Sequence, residues 1–305
     1  MRYAAIDIGT NSMRLLISEY EDGKFIKRDK FINTTRIGKN VDEQGLISKD
    51  AIEKNIDALC KFYNQAKDSE CKDIYIIGTS ALRDSKNKNE FIKEAKDKLN
   101  ANVDIIDGDM EANMGFMGVL SGMEDKKEDI LVIDIGGGST EFIVGNEEGI
   151  KFSKSENVGA VRMSEKFLKK DPIDEEEYEQ MKDYIYKTLS NTLDIINDFD
   201  IKKIIGIGGT ITTLASMHLK LEEYDMQKTH NLNLDIDDLK RQIDLLMPLN
   251  KEQKRTITGL QPKRADIINA GFAILEIILN NFYIDNLYVS EYDNLEGLIY
   301  FNYTK

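Results

Sequence analysis

The chain has 305 residues, 41% hydrophobic and 31% charged, with 3 prolines and 21 glycines. That balance excludes collagen-like and Pro-rich disordered chains and fits a soluble globular protein of about two domains. The formal net charge of −14, from 41 basic and 55 acidic side chains, argues against a nucleic-acid polymer as partner, because its phosphates would be repelled.

The first elements are strand-like. Tyr3–Ile8 is a short apolar run that ends in a glycine turn, Arg14–Tyr20 is a second strand, and an Asp22-Gly23 turn leads into a third around Phe25–Phe31, which together make an antiparallel meander. A polar loop, Thr34–Gly45, follows. Ser48 is placed to cap a helix carrying Ile52, Ile56, Leu59, Cys60 and Tyr63 at helical spacing. Ile74–Ile77 reads as a strand, Thr79–Asp84 as a turn, Glu90–Leu99 as a helix, Val103–Ile106 as a strand and Met110–Leu120 as a helix. At Ile130 the pattern restarts. Strands are expected at Ile130–Ile135, Glu141–Val144 and Ile150–Lys154, and helices over 163–168 and 174–197. Ile204–Ile207 is a strand running into Gly208-Gly209-Thr210 and a further helix. Helices at 237–247 and 264–280, a strand at Leu287–Val289 and a helix at 295–300 complete the chain. Alternating strands and helices imply an α/β fold.

The restart is an internal repeat. At an offset of 127, Ile6-Asp7-Ile8-Gly9 aligns with Ile133-Asp134-Ile135-Gly136 and Ser12 with Ser139. Each half therefore opens with a strand, an Asp, a glycine turn with a hydroxyl, and a second strand. The division expected is 1–124 and 125–305, with the last helix able to pack back on the first lobe. Cys60 and Cys71 are too few for a disulfide framework, and Cys60 falls on an apolar helix face as a buried free thiol. His218 and His230 cannot build a His-rich metal site, so a divalent ion would be held by carboxylates, which favours Mg²⁺. No apolar run is long enough to cross a membrane and no secretory segment precedes the first strand, so the expected location is cytoplasmic.

Three loops are built for anions. Gly136, Gly137, Gly138 and Ser139 lie between two strands, where successive amides can form an anion-binding nest. Asp134 and Glu141 flank them and could hold Mg²⁺. Thr10, Asn11 and Ser12 repeat the design with side-chain hydrogen-bonding groups, Asp7 stands where Asp134 does, and Arg14 is within reach of the same anion. Gly208, Gly209 and Thr210 open a helix after a strand, a third phosphate-type loop.

The ordered set Asp7–Arg14, Thr79-Ser80-Ala81-Leu82-Arg83, Asp134–Glu141, Gly206–Thr210 and Arg264-Ala265-Asp266 resembles the Ppx/GppA phosphatase family over about residues 2–300. The resemblance implies two actin-like (ribonuclease H-like) lobes with a central active-site cleft. It also implies Mg²⁺-dependent hydrolysis of terminal phosphoanhydride bonds. Exopolyphosphatase activity on inorganic polyphosphate is the first reading, and removal of the 5′ terminal phosphate of pppGpp is the alternative. A phosphotransferase or nucleotide sensor on the same scaffold is a third. Glu111 matches the family's catalytic Glu and is implied to be the general base for the attacking water. Two neighbours depart from the family pattern: Met110 replaces an acidic residue and Asn113 a basic one. Arg83 matches a phosphate-contacting arginine, whose planar fork can take two oxygens, and Asn87 a nearby Asn. Arg162, in Gly159-Ala160-Val161-Arg162, and Lys263 with Arg264 would extend a substrate track. Leu295-Glu296-Gly297 departs from a Leu-Arg-Gly-like segment, and no site residue is carried over from it. The length and the lack of a His-Asp pair resemble the short form of the family, without an HD domain. Tyr and Phe are plentiful enough to build a homodimer interface.

Overall fold

The computed structural model describes residues 1–282 and 286–303. In chain order the first half contains β1 (Arg2–Ile8), β2 (Met13–Glu21), β3 (Lys24–Asn33), α1 (Val41–Gln44), α2 (Lys49–Asp68), β4 (Asp73–Gly78), α3 (Ser80–Asp84), α4 (Lys88–Leu99), β5 (Asp104–Ile105) and α5 (Gly108–Ser121). The second half contains β6 (Ile130–Ile135), β7 (Thr140–Asn146), β8 (Gly149–Glu156), α6 (Ala160–Phe167), α7 (Glu175–Asn197), β9 (Lys203–Ile207), α8 (Gly208–His218), α9 (Met226–Thr229), β10 (Asn233–Leu234), α10 (Ile236–Leu246), α11 (Lys251–Lys254), α12 (Ile268–Asn280), β11 (Leu287–Val289) and α13 (Asn294–Tyr303).

The chain divides into two compact units. One comprises Met1–Ser121 together with the segment from Tyr292 onward; the other is Gly122–Glu291. The first holds a five-stranded sheet in the order β3-β2-β1-β4-β5. β2 runs antiparallel to both β1 and β3, while β4 and β5 join β1 in parallel. β1 is buried on both faces, as a central strand covered by helices must be. One face packs Ala4, Ile6, Met13 and Leu15 against Ile52, Ile56, Leu59 and Phe62 of α2, whose three- and four-residue spacing makes one apolar stripe. The other face packs Tyr3, Ala5 and Leu16 against Met114 of α5 and Leu295, Leu298 and Ile299 of α13.

The second unit repeats this plan. Its sheet runs β10-β11-β9-β6-β7-β8, so β8-β7-β6-β9-β11 reproduces the order and strand directions of the first sheet, with β10 added antiparallel at the edge. This is the actin-like, ribonuclease H-like arrangement that the resemblance implies. Its core joins Leu131, Ile133 and Phe142 to Met181, Ile185 and Leu189 of α7 and to Phe272 and Ile274 of α12.

Several local expectations differ from what forms. The Thr79–Asp84 stretch holds a one-turn helix, Ser80–Asp84, rather than a turn, with Ala81 and Leu82 buried. The 264–280 helix begins only at Ile268, after a separate 3₁₀ turn at Pro262–Arg264. Cys60 is half-buried against the first core rather than fully buried, and it is a free thiol. Among the described residues no helix is long and apolar enough to cross a membrane.

Candidate active-site loops and their supports

The two β-turns of the repeat share one hydrogen-bond design. Gly136 N–H donates to Ser139 O at 3.0 Å, and Gly9 N–H donates to Ser12 O at 3.1 Å. In the second unit the loop carbonyls are taken by α6. Gly136 O accepts from Ala160 N–H at 3.0 Å, and Gly137 O from Val161 and Arg162 N–H at 2.8 and 3.1 Å. Gly138 O accepts from Arg162 Nε at 2.6 Å. In a planar trans peptide the C=O and the following N–H point in opposite directions. The amides of Gly137, Gly138 and Ser139 are therefore aimed away from α6, together, as an anion-binding nest requires. Gly159 permits this contact: a Cβ there would lie 2.5 Å from Gly137 and Gly138 backbone atoms. Arg162 thus supports the loop from behind.

Asp134 and Glu141 sit directly opposite one another on β6 and β7, where facing side chains start about 5 Å apart. Both are buried. Ser155 Oγ donates to Glu141 Oε1 at 2.7 Å. Asp134 lies against the start of α8: Gly208 has φ +82°, and a Cβ there would fall 2.4 Å from Asp134 Oδ1. A glycine is needed for both reasons. Gly209 lies under Arg264, since its Cβ would overlap the Arg264 guanidinium. Thr210 Oγ1 donates to Ile135 O at 3.4 Å, tying α8 to the end of β6. Lys263 is exposed on the same 3₁₀ turn as Arg264.

In the first unit the loop carbonyls are taken by the segment after β3. Thr10 O accepts from Gly38 N–H and Asn11 O from Arg36 N–H, each at 3.0 Å, which turns the Asn11 and Ser12 amides the other way. Thr10, Asn11 and Ser12 are buried. Asn11 Nδ2 donates to Ser12 Oγ at 3.2 Å, and Asn11 Oδ1 is buried without a hydrogen-bond partner.

The position equivalent to the Asp134–Glu141 pair is the Asp7–Arg14 pair, also in register across two strands. Here an arginine stands where the second unit has a carboxylate. Arg14 Nε and Nη2 reach Asp7 Oδ2 at 3.1 and 2.6 Å, and Nη1 reaches Asp293 Oδ2 at 3.0 Å. Arg14, expected to face an anionic substrate, is committed to these two carboxylates. Burial pushes the Asp7 carboxyl above its ordinary range, partly opposed by Arg14, and Asp7 Oδ1 is buried without a partner. Lys30 Nζ reaches Asp293 Oδ2 and Glu296 Oε2, each at 3.0 Å. Arg28 reaches Glu296 Oε1 at 3.1 Å and stacks on Tyr292 at 3.6 Å. Burial alone would raise the Asp293 carboxyl, but Arg14, Lys30 and the Leu295 amide outweigh it and hold it well below the usual carboxylate range.

Glu111 stands in the first turn of α5, whose start is capped by Asp107: its Oδ1 accepts from Met110 N–H at 2.8 Å. Glu111 is buried, and its Oε2 accepts from Arg83 Nη1 at 2.9 Å. Arg83, at the end of α3, also donates to Ile106 O at 3.2 Å. Arg83 and Glu111 are therefore a built pair. Asn87, by contrast, is a clasp between segments: it accepts from Ile47 N–H and donates to Ile47 O, both at 2.9 Å.

Lys30, Arg28, Asp293 and Glu296 escaped the sequence reading. Glu296 lies in the segment that departs from the family pattern, and that departure was the only signal. Among the described residues no three His, Cys, Asp or Glu side chains form a metal cage. Asp134 and Glu141 are a two-carboxylate pair, and Mg²⁺, which keeps several waters and takes one or two carboxylates, suits such a donor set.

The model of the Ppx/GppA phosphatase family matches residues 16–305. The chain belongs to that family. It is 41% identical to a bifunctional 3-dehydroquinate synthase/phosphatase of Fusobacterium nucleatum, over 97% of this chain but 46% of that protein. It thus spans about half the length of that relative. Exopolyphosphatase 2 of Mycobacterium tuberculosis is 29% identical, with 97% of both chains covered. Among solved structures, an exopolyphosphatase from Cytophaga hutchinsonii superposes with a TM-score of 0.90 at 30% identity, covering 98% of this chain and 97% of that one. The Aquifex aeolicus family member gives 0.84 at 30% identity, covering 100% and 98%. A guanosine-5′-triphosphate,3′-diphosphate pyrophosphatase of Vibrio parahaemolyticus is 29% identical over 98% of this chain and 58% of its own length.

Proposed function

We propose that the chain hydrolyses terminal phosphoanhydride bonds, with inorganic polyphosphate as the first substrate to test and pppGpp as the second. The observation that carries this reading is the second-unit loop. All three of its glycine carbonyls are tied back by α6, so its amides are left to hold phosphate oxygens, and buried carboxylates stand at both its ends. The polyphosphate reading is supported by relatives named exopolyphosphatase that this chain matches over nearly their whole length. The pppGpp reading is supported by the Vibrio enzyme.

In this reading Gly137, Gly138 and Ser139 donate their amides to the terminal phosphate. Glu111, oriented through Arg83, takes a proton from the attacking water. The water oxygen bonds to phosphorus as the bridging P–O bond breaks, and the shortened chain leaves on the bridging oxygen. Asp134 and Glu141 would hold a divalent cation, Mg²⁺ by the donor set. Such an ion, when bound, offsets charge on the phosphoryl oxygens in a protein whose net charge is −14.

The test is phosphate release from long-chain polyphosphate and from pppGpp, side by side, with Mg²⁺ and with EDTA. Mg²⁺-dependent release from either supports the reading and selects the substrate. No release from both, with an acceptor phosphorylated from a phosphate donor instead, would replace it with phosphotransfer.

A further inference from the structure

We propose that α13 is the positioning element for Glu111, acting through a glycine-to-backbone crossing with α5. The inference rests on the reading of Glu111 as general base and adds to it the residues that set where that base stands. The two helices meet at reciprocal points. A Cβ on Gly118 of α5 would lie 2.0 Å from Asp293 O, and a Cβ on Gly297 of α13 would lie 1.8 Å from Met114 O. The atoms met are backbone on both sides, so neither contact can be relieved by turning a side chain. Contacts under 3.0 Å are essentially never made by a real Cβ. An alanine at either position would therefore force the helices apart by about 1 Å.

Glu111, Met114 and Gly118 follow the i, i+3, i+7 spacing that places them on one stripe of α5. The stripe that rests on α13 thus carries Glu111 at its N-terminal end, about one turn from the Met114 contact and two from the Gly118 contact. α13 is in turn fixed to the sheet. Asp293 caps it, accepting from Leu295 N–H at 2.9 Å, and Glu296 Oε2 accepts from Asp293 N–H at 2.9 Å. The same two carboxylates hold Arg14, Lys30 and Arg28 on β2 and β3. The route runs from the sheet to α13, from α13 through the crossing to α5, and so to Glu111 against Arg83. Gly118, Gly297, Asp293 and Glu296 are positioning residues; none of them needs to touch the substrate.

The experiment is steady-state kinetics on Gly118→Ala and Gly297→Ala, alone and combined with Glu111→Gln, on whichever phosphoanhydride the wild type hydrolyses. A misplacement of about 1 Å is expected to lower kcat by about 10- to 100-fold with KM within about threefold. In the Glu111→Gln background the same glycine change should lower the residual rate less than twofold, because the base it misplaces is already gone. A folded Gly118→Ala with wild-type kcat would overturn the proposal, and so would an equal fractional loss in both backgrounds. If Glu111→Gln itself leaves kcat unchanged, the reading of Glu111 fails, which is a separate result. Should the alanine variants not fold, hydrogen exchange on the wild type decides. The Glu111 turn and Asn294–Tyr303 are expected to open in one cooperative step with one denaturant dependence. Separate steps would overturn the proposal.

Discussion

Replacing Asp293 by Asn removes one negative charge from a buried set in which three carboxylates, Asp7, Asp293 and Glu296, face three cations, Arg14, Lys30 and Arg28. The amide can still cap α13, so the change isolates charge from capping. Arg14 keeps Asp7 and Lys30 keeps Glu296, but one positive charge is left in excess. Breaking a buried pair from one side costs about 3–5 kcal/mol, and the partners that remain put this case near the lower end, about 3 kcal/mol. For a unit of this size that is a fall in Tm of roughly 10 °C. The pH dependence carries a sign. Asp293 is held below its ordinary range in the folded chain, so its stabilising contribution is present above the ordinary carboxylate pKa, about 3.9, and is lost as pH falls through its folded value. The gap in Tm between wild type and Asp293→Asn should stay constant from pH 7 to about 5 and narrow progressively as pH falls below about 4. Thermal melts followed by circular dichroism measure it. A variant within about 2 °C of wild type at pH 7, or a gap that persists unchanged at pH 2, would refute the reasoning.

Gly159→Ala should drive α6 off the phosphate loop, because its Cβ meets Gly137 and Gly138 backbone at 2.5 Å. The expected result is a rise in KM of at least about tenfold with a destabilisation of about 1–3 kcal/mol, read from phosphate-release kinetics and a urea titration. Glu141→Gln should remove the response to Mg²⁺. In scanning fluorimetry the wild type is expected to gain about 2.7 kcal/mol of stability at a hundredfold excess over Kd, and the variant should melt alike in Mg²⁺ and EDTA.

The repeat was legible because the Asp, the turn glycine and the hydroxyl recur at one offset, and the two turns close with the same hydrogen bond, Gly9 to Ser12 and Gly136 to Ser139. Strands such as Ile130–Ile135 were legible because burial on both faces leaves an unbroken apolar run. The substitution of Arg14 for the position of Glu141 was visible in the same alignment, but its consequence was not. Only the fold brings Asp293, 279 residues away, onto the guanidinium. Glu296 was unreadable for the same reason: a Glu three residues into a helix normally faces water, and here two strand cations make its complete burial tolerable. The Thr79–Asp84 turn became a helix because Ala81 and Leu82 pack into the first core, a tertiary effect that local polarity conceals.

The proposed hydrolysis turns on Glu111, so the most direct measurement is phosphate release by wild type and Glu111→Gln in Mg²⁺, with polyphosphate and pppGpp as parallel substrates. The isosteric amide keeps the shape and can still meet Arg83, but cannot take a proton from water. The expected result is a fall in kcat of about 10²- to 10⁴-fold with little change in KM. A Glu111→Gln protein that turns over either substrate at the wild-type rate would contradict it.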